Sequence, residues 1–171
     1  MSTGRQAADA ARIRTATLAD VPAILAMIRE LAEFEKLLDQ VRATEEGLRT
    51  HLFGPSRVAE AIMACAADGR PLGYAIVFPN FSTFAGAPGL YLEDLYVRPP
   101  YRGQGLGKQL LMHLARLAKE RGCQRFEWSV LDWNENAIRF YKSLGAKPMD
   151  QWTTFRLDAA ALDRLAAQAP E

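Results

Sequence analysis

The segment Tyr101-Arg102-Gly103-Gln104-Gly105-Leu106-Gly107-Lys108 constrains this chain more than any other stretch. It is entered from an expected strand, Leu90 to Val97, which Arg98-Pro99-Pro100 must end because proline cannot donate to a strand ladder. It leads into a helix expected from about Gly105 to Arg121, with Leu106, Leu110, Leu114, Leu117 and Ala118 on one face and Gly122 as its stop. The chain therefore makes a strand, a glycine turn and a helix in succession. Backbone N–H groups at a helix start, cleared of side chains by glycine, form an anion site, and a pyrophosphate is the natural guest.

Three phosphate loops can be compared with it. A Walker loop needs glycine five residues before its Gly-Lys and a hydroxyl residue after the lysine; here those positions are Arg102 and Gln109. A dinucleotide fingerprint needs glycines at offsets zero, two and five. From Gly103 the last falls on Lys108, and from Gly105 it falls on Leu110. What remains is Arg-x-x-Gly-x-Gly, met by Arg102, Gly105 and Gly107.

The rest of the chain supplies the frame. Residues 1–11 carry no pattern and are expected to be disordered, with a single domain over residues 12–171. Ile13 begins a strand, and Thr17 and Asp20 start a helix carrying Val21, Ile24, Leu25, Ile28 and Leu31 to about Phe34. Thr44 with Glu45 and Glu46 starts a second helix, which Gly54-Pro55 ends near Phe53. Residues 58–66 and 72–81 read as strands around a hairpin turn at Asp68-Gly69. Residues 81–89 read as a loop. Beyond the long helix come a strand at 126–131, a helix capped by Asn134 and stopped by Gly145, a last strand at 153–157, and a short helix capped by Asp158. Hairpins followed by a βα crossover give an α+β fold with a mixed sheet.

The Arg102–Gly105–Gly107 pattern resembles the acetyl-coenzyme A loop of the Gcn5-related N-acetyltransferases (GNAT). The resemblance extends to Glu-Leu-Ala-Glu-Phe-Glu-Lys at 30–36, Tyr-Leu-Glu-Asp-Leu-Tyr-Val at 91–97, Leu-Asp-Trp-Asn at 131–134 and Phe-Tyr-Lys-Ser-Leu-Gly-Ala at 140–146. Over residues 13–157 the chain is similar to the spermidine/spermine (diamine) acetyltransferase group, and within it to the thialysine acetyltransferase branch. This implies a mostly antiparallel mixed sheet with helices on both faces, acetyl-CoA as co-substrate, a small primary amine as acceptor, and a homodimer.

Residue by residue, the resemblance implies that acetyl-CoA lies along Leu95, Tyr96 and Val97, on the loop residues Arg102, Gly103, Gln104, Gly105, Leu106, Gly107 and Lys108, and against Asn134. It places Phe34, Glu35, Glu93, Glu127 and Asp150 on the substrate side, and makes Tyr141 the general acid. The chain from Tyr141 to Trp152 is shorter than in the polyamine enzymes, which sets the Asp150 match and polyamine specificity apart from the rest.

Elementary chemistry says what such residues would do. An alkylamine with a pKa of about 10.4 is charged at neutral pH, and only the neutral form attacks a thioester. Deprotonation at pH 7.4 costs about 3 pK units, roughly 4 kcal/mol, so a base is useful, and Glu93 is the candidate. Its neighbour Asp94 nominally points to the opposite face, unless a bulge of the kind this family carries intervenes. A phenol is a weaker acid than a thiol, so a hydrogen bond from Tyr141 to a departing thiolate is favoured over complete proton transfer.

Composition narrows the classes. With 21 Lys plus Arg against 20 Asp plus Glu, the net charge of +1 favours neither nucleic acid nor an anionic membrane. No signal-peptide pattern or membrane-length apolar run is present, and Cys65 and Cys123 match no metal spacing, so a reduced, cytoplasmic protein with no metal is expected. His51 and His113 are isolated and read as structural. Two other functions stay open on the sequence: acetylation of protein lysines or N-termini, and a non-catalytic, coenzyme A-binding regulatory module.

Overall fold

Short hydrogen-bonding side chains set where the helices begin. The computed structural model describes residues 11–170, so the patternless N-terminus lies, apart from Ala11, outside the described residues. The chain falls into two compact units that divide between Ser129 and Val130. In the first, β1 (Arg12–Thr15) runs into a 3₁₀ turn (Leu18–Asp20) and then α1 (Val21–Phe34). The Asp20 carboxylate accepts from the Thr17 N–H at 2.7 Å and from the two terminal nitrogens of Arg14 at 2.7 and 2.8 Å. The helix start is thereby tied back to β1.

Thr44 caps α2 (Glu45–Leu48), its hydroxyl accepting from Gly47 N at 3.0 Å. The expected helix does reach Phe53, but its last part, Arg49–Phe53, widens to π-type hydrogen bonding and buries Leu52. Gly54 ends it where a Cβ would lie 2.4 Å from the Thr50 carbonyl oxygen.

Three antiparallel strands follow the edge strand β1: β2 (Glu60–Cys65), β3 (Pro71–Ser82) and β4 (Ala87–Val97). The loop expected over 81–89 is a correction. Pairing continues to Ser82 opposite Ala87, and only residues 83–86 turn. Gly86, at φ +59, supplies the reversal. Gly89 belongs to the strand, where a Cβ would lie 2.2 Å from Asn80 Oδ1. The chain then crosses through α3 (Leu106–Glu120) to β5 (Arg125–Trp128), which lies parallel to β4 and is shorter than the expected 126–131.

The sheet order is β1-β2-β3-β4-β5, with one parallel pair at its end. Alternation along the strands divides the core. Ala61, Met63, Cys65, Tyr74, Ile76 and Tyr96 pack with Ile24 and Met27 of α1 on one face. The interleaved Ile62, Ala64, Ala75 and Val77 are buried too, on the side where α3 sets Leu106, Leu110 and Leu114 against the strands. Helices on both faces of a mixed, mostly antiparallel sheet are the expected α+β arrangement.

In the second unit, Asn134 caps α4 (Glu135–Ser143), its side chain accepting from Ala137 N at 3.3 Å, and Gly145, at φ +89, ends the turn beyond it. Asp158 caps α5 (Ala159–Ala166), accepting from Ala161 N at 2.7 Å. The strand expected at 153–157 does not form: those residues are exposed and take no regular structure. Alternating residues make a strand only against a partner, and none pairs with them among the described residues. No helix among the described residues is long and apolar enough to cross a membrane.

Candidate active site

The glycine turn is built as its composition requires. A 3₁₀ turn, Pro99–Tyr101, breaks the chain away from β4. Gly103 and Gly105 follow at φ +72 and +81, a region that residues with a Cβ occupy at a cost. A Cβ added at either would meet nothing within 4 Å, so glycine is required there by conformation and the space above the loop is open. Gly105 caps α3, and the first N–H to find a helical acceptor is that of Gln109, to Gly105 O at 3.0 Å. The N–H groups before it have no intrahelical partner by geometry. Buried Leu106 fixes this helix start to the core, with Gly107 and Lys108 in the first turn. Gln104 donates to Pro100 O at 3.1 Å, while its Oε1 is buried without a partner among the described residues.

The strand before the loop has a second opening. β4 pairs with β5 only from Gly89 opposite Arg125 to Leu92 opposite Trp128. β5 stops there, and β4 runs on to Val97, held on its other side by Ala75, Tyr74 and Gly73 opposite Leu95, Tyr96 and Val97. Residues 93–97 thus have no strand partner on the β5 side among the described residues. Coenzyme A has two parts that suit these features: a pyrophosphate for the glycine turn and an amide-bearing arm for a strand edge.

The carboxylates gather at a bulge in β4. Val77 faces Leu92 and Ile76 faces Asp94, so Glu93 is the extra residue. Its side chain is exposed. The bulge puts Asp94 in register with Ile76, on the α1 face, where the Tyr74 hydroxyl donates to its Oδ2 at 2.8 Å. Burial pushes the Asp94 carboxyl up, the Tyr74 bond opposes this, and the charge of Glu93 adds to the rise. Glu35, just past the end of α1, is pushed up by burial and then by the charge of Asp94. Burial, with Asp94 next, raises the Tyr74 hydroxyl well above its usual range. Glu35, Asp94 and Glu93 therefore form a run of mutually repelling acids. Asp94 and Tyr74 are the residues that sequence reading missed. The bulge was the signal for Asp94; Tyr74 gave none, because an interior strand tyrosine reads as core.

Further expected residues belong to β5 and to the second unit. Glu127, on β5, is committed to Arg125 Nε at 2.8 Å and accepts from Asn80 Nδ2 at 3.1 Å. Tyr141, Asn134 and Asp150 belong to the second unit. There Tyr141 is half-buried on α4, its ring centroid 5.4 Å from that of Phe140, and Asp150 is exposed. Cys65 and Cys123 are free thiols, and burial pushes Cys65 up. His113 packs on α3 beside Arg116, and burial lowers its pKa.

Known proteins resemble this chain over most of its length. The model of the acetyltransferase (GNAT) family matches residues 25–146. A thialysine N-epsilon-acetyltransferase of Sus scrofa is 42% identical over 166 residues, covering 91% of this chain and 97% of that protein. An L-ornithine N5-acetyltransferase of Arabidopsis thaliana is 34% identical, over 90% of this chain and 87% of that one. Among solved structures, an integron cassette protein from the mobile metagenome of V. cholerae superposes with a TM-score of 0.77 at 28% identity, over 92% of this chain and 98% of that one.

Proposed function

The chain belongs to the GNAT acetyltransferase family, and from that premise we propose that it moves an acetyl group from acetyl-CoA to a primary amine of a small molecule, of the polyamine, thialysine or lysine-like kind. The observation that carries the acceptor class is the run of acids at the β4 bulge, Glu35, Asp94 and Glu93, on the strand that leads into the glycine turn. A cationic amine relieves the repulsion that those carboxylates exert on one another. Relatives named for thialysine and ornithine acetylation support the same class.

Acetyl-CoA supplies, when bound, a thioester open to attack by a neutral amine. The N–H groups of residues 103–108 hold its pyrophosphate, with Arg102, Gln104, Leu106 and Lys108 shaping that loop, and the backbone of Leu95, Tyr96 and Val97 pairs with its arm. Asn134 adds a contact while capping α4. Glu35 and Asp94 hold the ammonium group, and Phe34 flanks it. Glu93 takes the proton that makes the amine a nucleophile, directly or through water. Tyr141 donates a hydrogen bond to the departing thiolate. Asp150 and Glu127 are peripheral to this scheme, Glu127 because Arg125 already neutralises it.

We take residues 12–171 as one acetyltransferase domain, which the family match running through Ser129 and Val130 supports. We place it in the cytoplasm, and as a homodimer, which the family resemblance implies. The test is coenzyme A release from acetyl-CoA against spermidine, putrescine, thialysine, lysine and a lysine peptide. Turnover on a small amine above that on the peptide is expected; the reverse order would overturn the acceptor class.

A further inference from the structure

Phe34 ends α1, one residue before Glu35, and the family resemblance puts it on the substrate side. Its ring also meets the other ligand's loop. The guanidinium carbon of Arg102, the first residue of the glycine turn, lies 4.9 Å from the Phe34 ring centroid and 5.3 Å from that of Tyr96. Arg102 Nε donates to Val97 O at 2.7 Å. The guanidinium is thus held by two aromatic faces and by the carbonyl that ends β4.

One turn earlier, the same helix makes a matching tie. Arg98 donates to both carboxylate oxygens of Glu30, at 3.1 and 2.8 Å. Glu30 and Phe34 are four residues apart on α1, hence on one face, and Arg98 and Arg102 are four apart across the 3₁₀ turn Pro99–Tyr101. Two clasps therefore bind the start of the cofactor loop to the last two turns of α1. Tyr96 is only 4% exposed and fixed in the core, whereas Phe34 is 42% exposed. Phe34 is the clasp residue whose ring can be changed without opening the core.

Resting on the acetyl-CoA reading above, we propose that Phe34 is a positioning residue for the cofactor: its ring holds Arg102 in the orientation from which the glycine turn takes the coenzyme A pyrophosphate. Because Glu35 follows it directly and senses Asp94, the helix end that receives the amine also sets the loop that receives the cofactor.

The test is calorimetric titration of the full chain with coenzyme A, with no amine present, for wild type, Phe34→Leu, Phe34→Tyr, Arg102→Met and the double variant Phe34→Leu/Arg102→Met, with thermal melts to show that each is folded. A cation–π contact at a partly exposed site predicts that Phe34→Leu raises Kd about two- to fivefold. Phe34→Tyr keeps the wild-type Kd, and Phe34→Leu adds nothing once Arg102 is gone. An unchanged Kd in Phe34→Leu with a raised amine KM would overturn the proposal and leave Phe34 a substrate-side residue only. So would an equal loss with and without Arg102, the mark of general damage to α1. Wild type failing to bind coenzyme A would overturn the acetyl-CoA reading itself, a result distinct from either.

Discussion

The hydroxyl of Tyr74 donates to Asp94 Oδ2 at 2.8 Å, and it does so on the face of the sheet that α1 covers. That bond steadies a carboxyl which burial and the charge of Glu93 both push toward its neutral form. A folded-state pKa above the unfolded value contributes stability that is present in full below the unfolded pKa and is lost as pH rises through the folded one. Asp94 and Glu35 therefore favour the unbound protein in mild acid and cost it stability at neutral pH. Asp94→Asn, which keeps an oxygen for Tyr74, is predicted to melt higher than wild type at pH 7, the gap closing toward pH 4. It also raises the amine KM. Thermal melts across that range check the sign, and a lower melting temperature at pH 7 would show that the carboxylate form of the Tyr74 bond outweighs charge burial.

A second, opposite pH signature comes from Asp20. Its hydrogen bonds with Arg14 lower its carboxyl from 3.8 to about 2, against the opposing effect of burial. This contribution is present above the unfolded pKa and is lost as pH falls through about 2. Arg14 is 40% exposed, so solvent screening reduces the stabilisation to about 1 kcal/mol. Asp20→Ala should lose that amount in urea titrations at pH 7 and less as the solution approaches pH 2.

Gly105 stands at φ +81 where the glycine turn becomes a helix. Gly105→Ala is expected to cost about 1–2 kcal/mol through backbone strain, or else to move the N–H groups that the turn presents. Calorimetry should show coenzyme A binding weakened by about tenfold, the equivalent of roughly 1.4 kcal/mol. Affinity unchanged from wild type would mean that the pyrophosphate does not sit on this turn.

Tyr141→Phe removes a hydroxyl and little else. A phenol near 10 is a poorer acid than a thiol near 8.5, so the loss is that of a hydrogen bond to developing charge. The expected result is a kcat lowered by about tenfold or more, with coenzyme A affinity close to wild type. Steady-state kinetics beside calorimetry separates the two, and a large loss of affinity at unchanged turnover would remove Tyr141 from the chemistry.

Much of the helical structure in both units was legible because its signals are local. Thr17, Thr44, Asn134 and Asp158 each mark a helix start, and Gly54, Gly122 and Gly145 each mark an end. The glycine turn was legible for the same reason: φ at Gly103 and Gly105 is a property of those residues and their neighbours. Pairing is not local, and the misses follow from that. Proline and glycine at 88 and 89 suggested a loop, yet β3 holds both in register. Residues 153–157 alternate as a strand does, but alternation without a neighbouring strand gives no ladder. Asp94 turned to the α1 face because Glu93 is a bulge, and a bulge exists only in the fit between two strands. The commitment of Glu127 to Arg125 likewise depends on where β5 lies.

Acetyl transfer to a small amine with Glu93 as the base is checked most directly by coenzyme A release at saturating acetyl-CoA, with the best amine of the panel, in wild type and in Glu93→Gln. Turnover is expected in the wild type, with a fall of about 10²–10⁴ in kcat/KM for the variant and a loss that shrinks at high pH, where the amine is already neutral. Wild-type turnover that Glu93→Gln leaves intact across the pH range would contradict that role for Glu93.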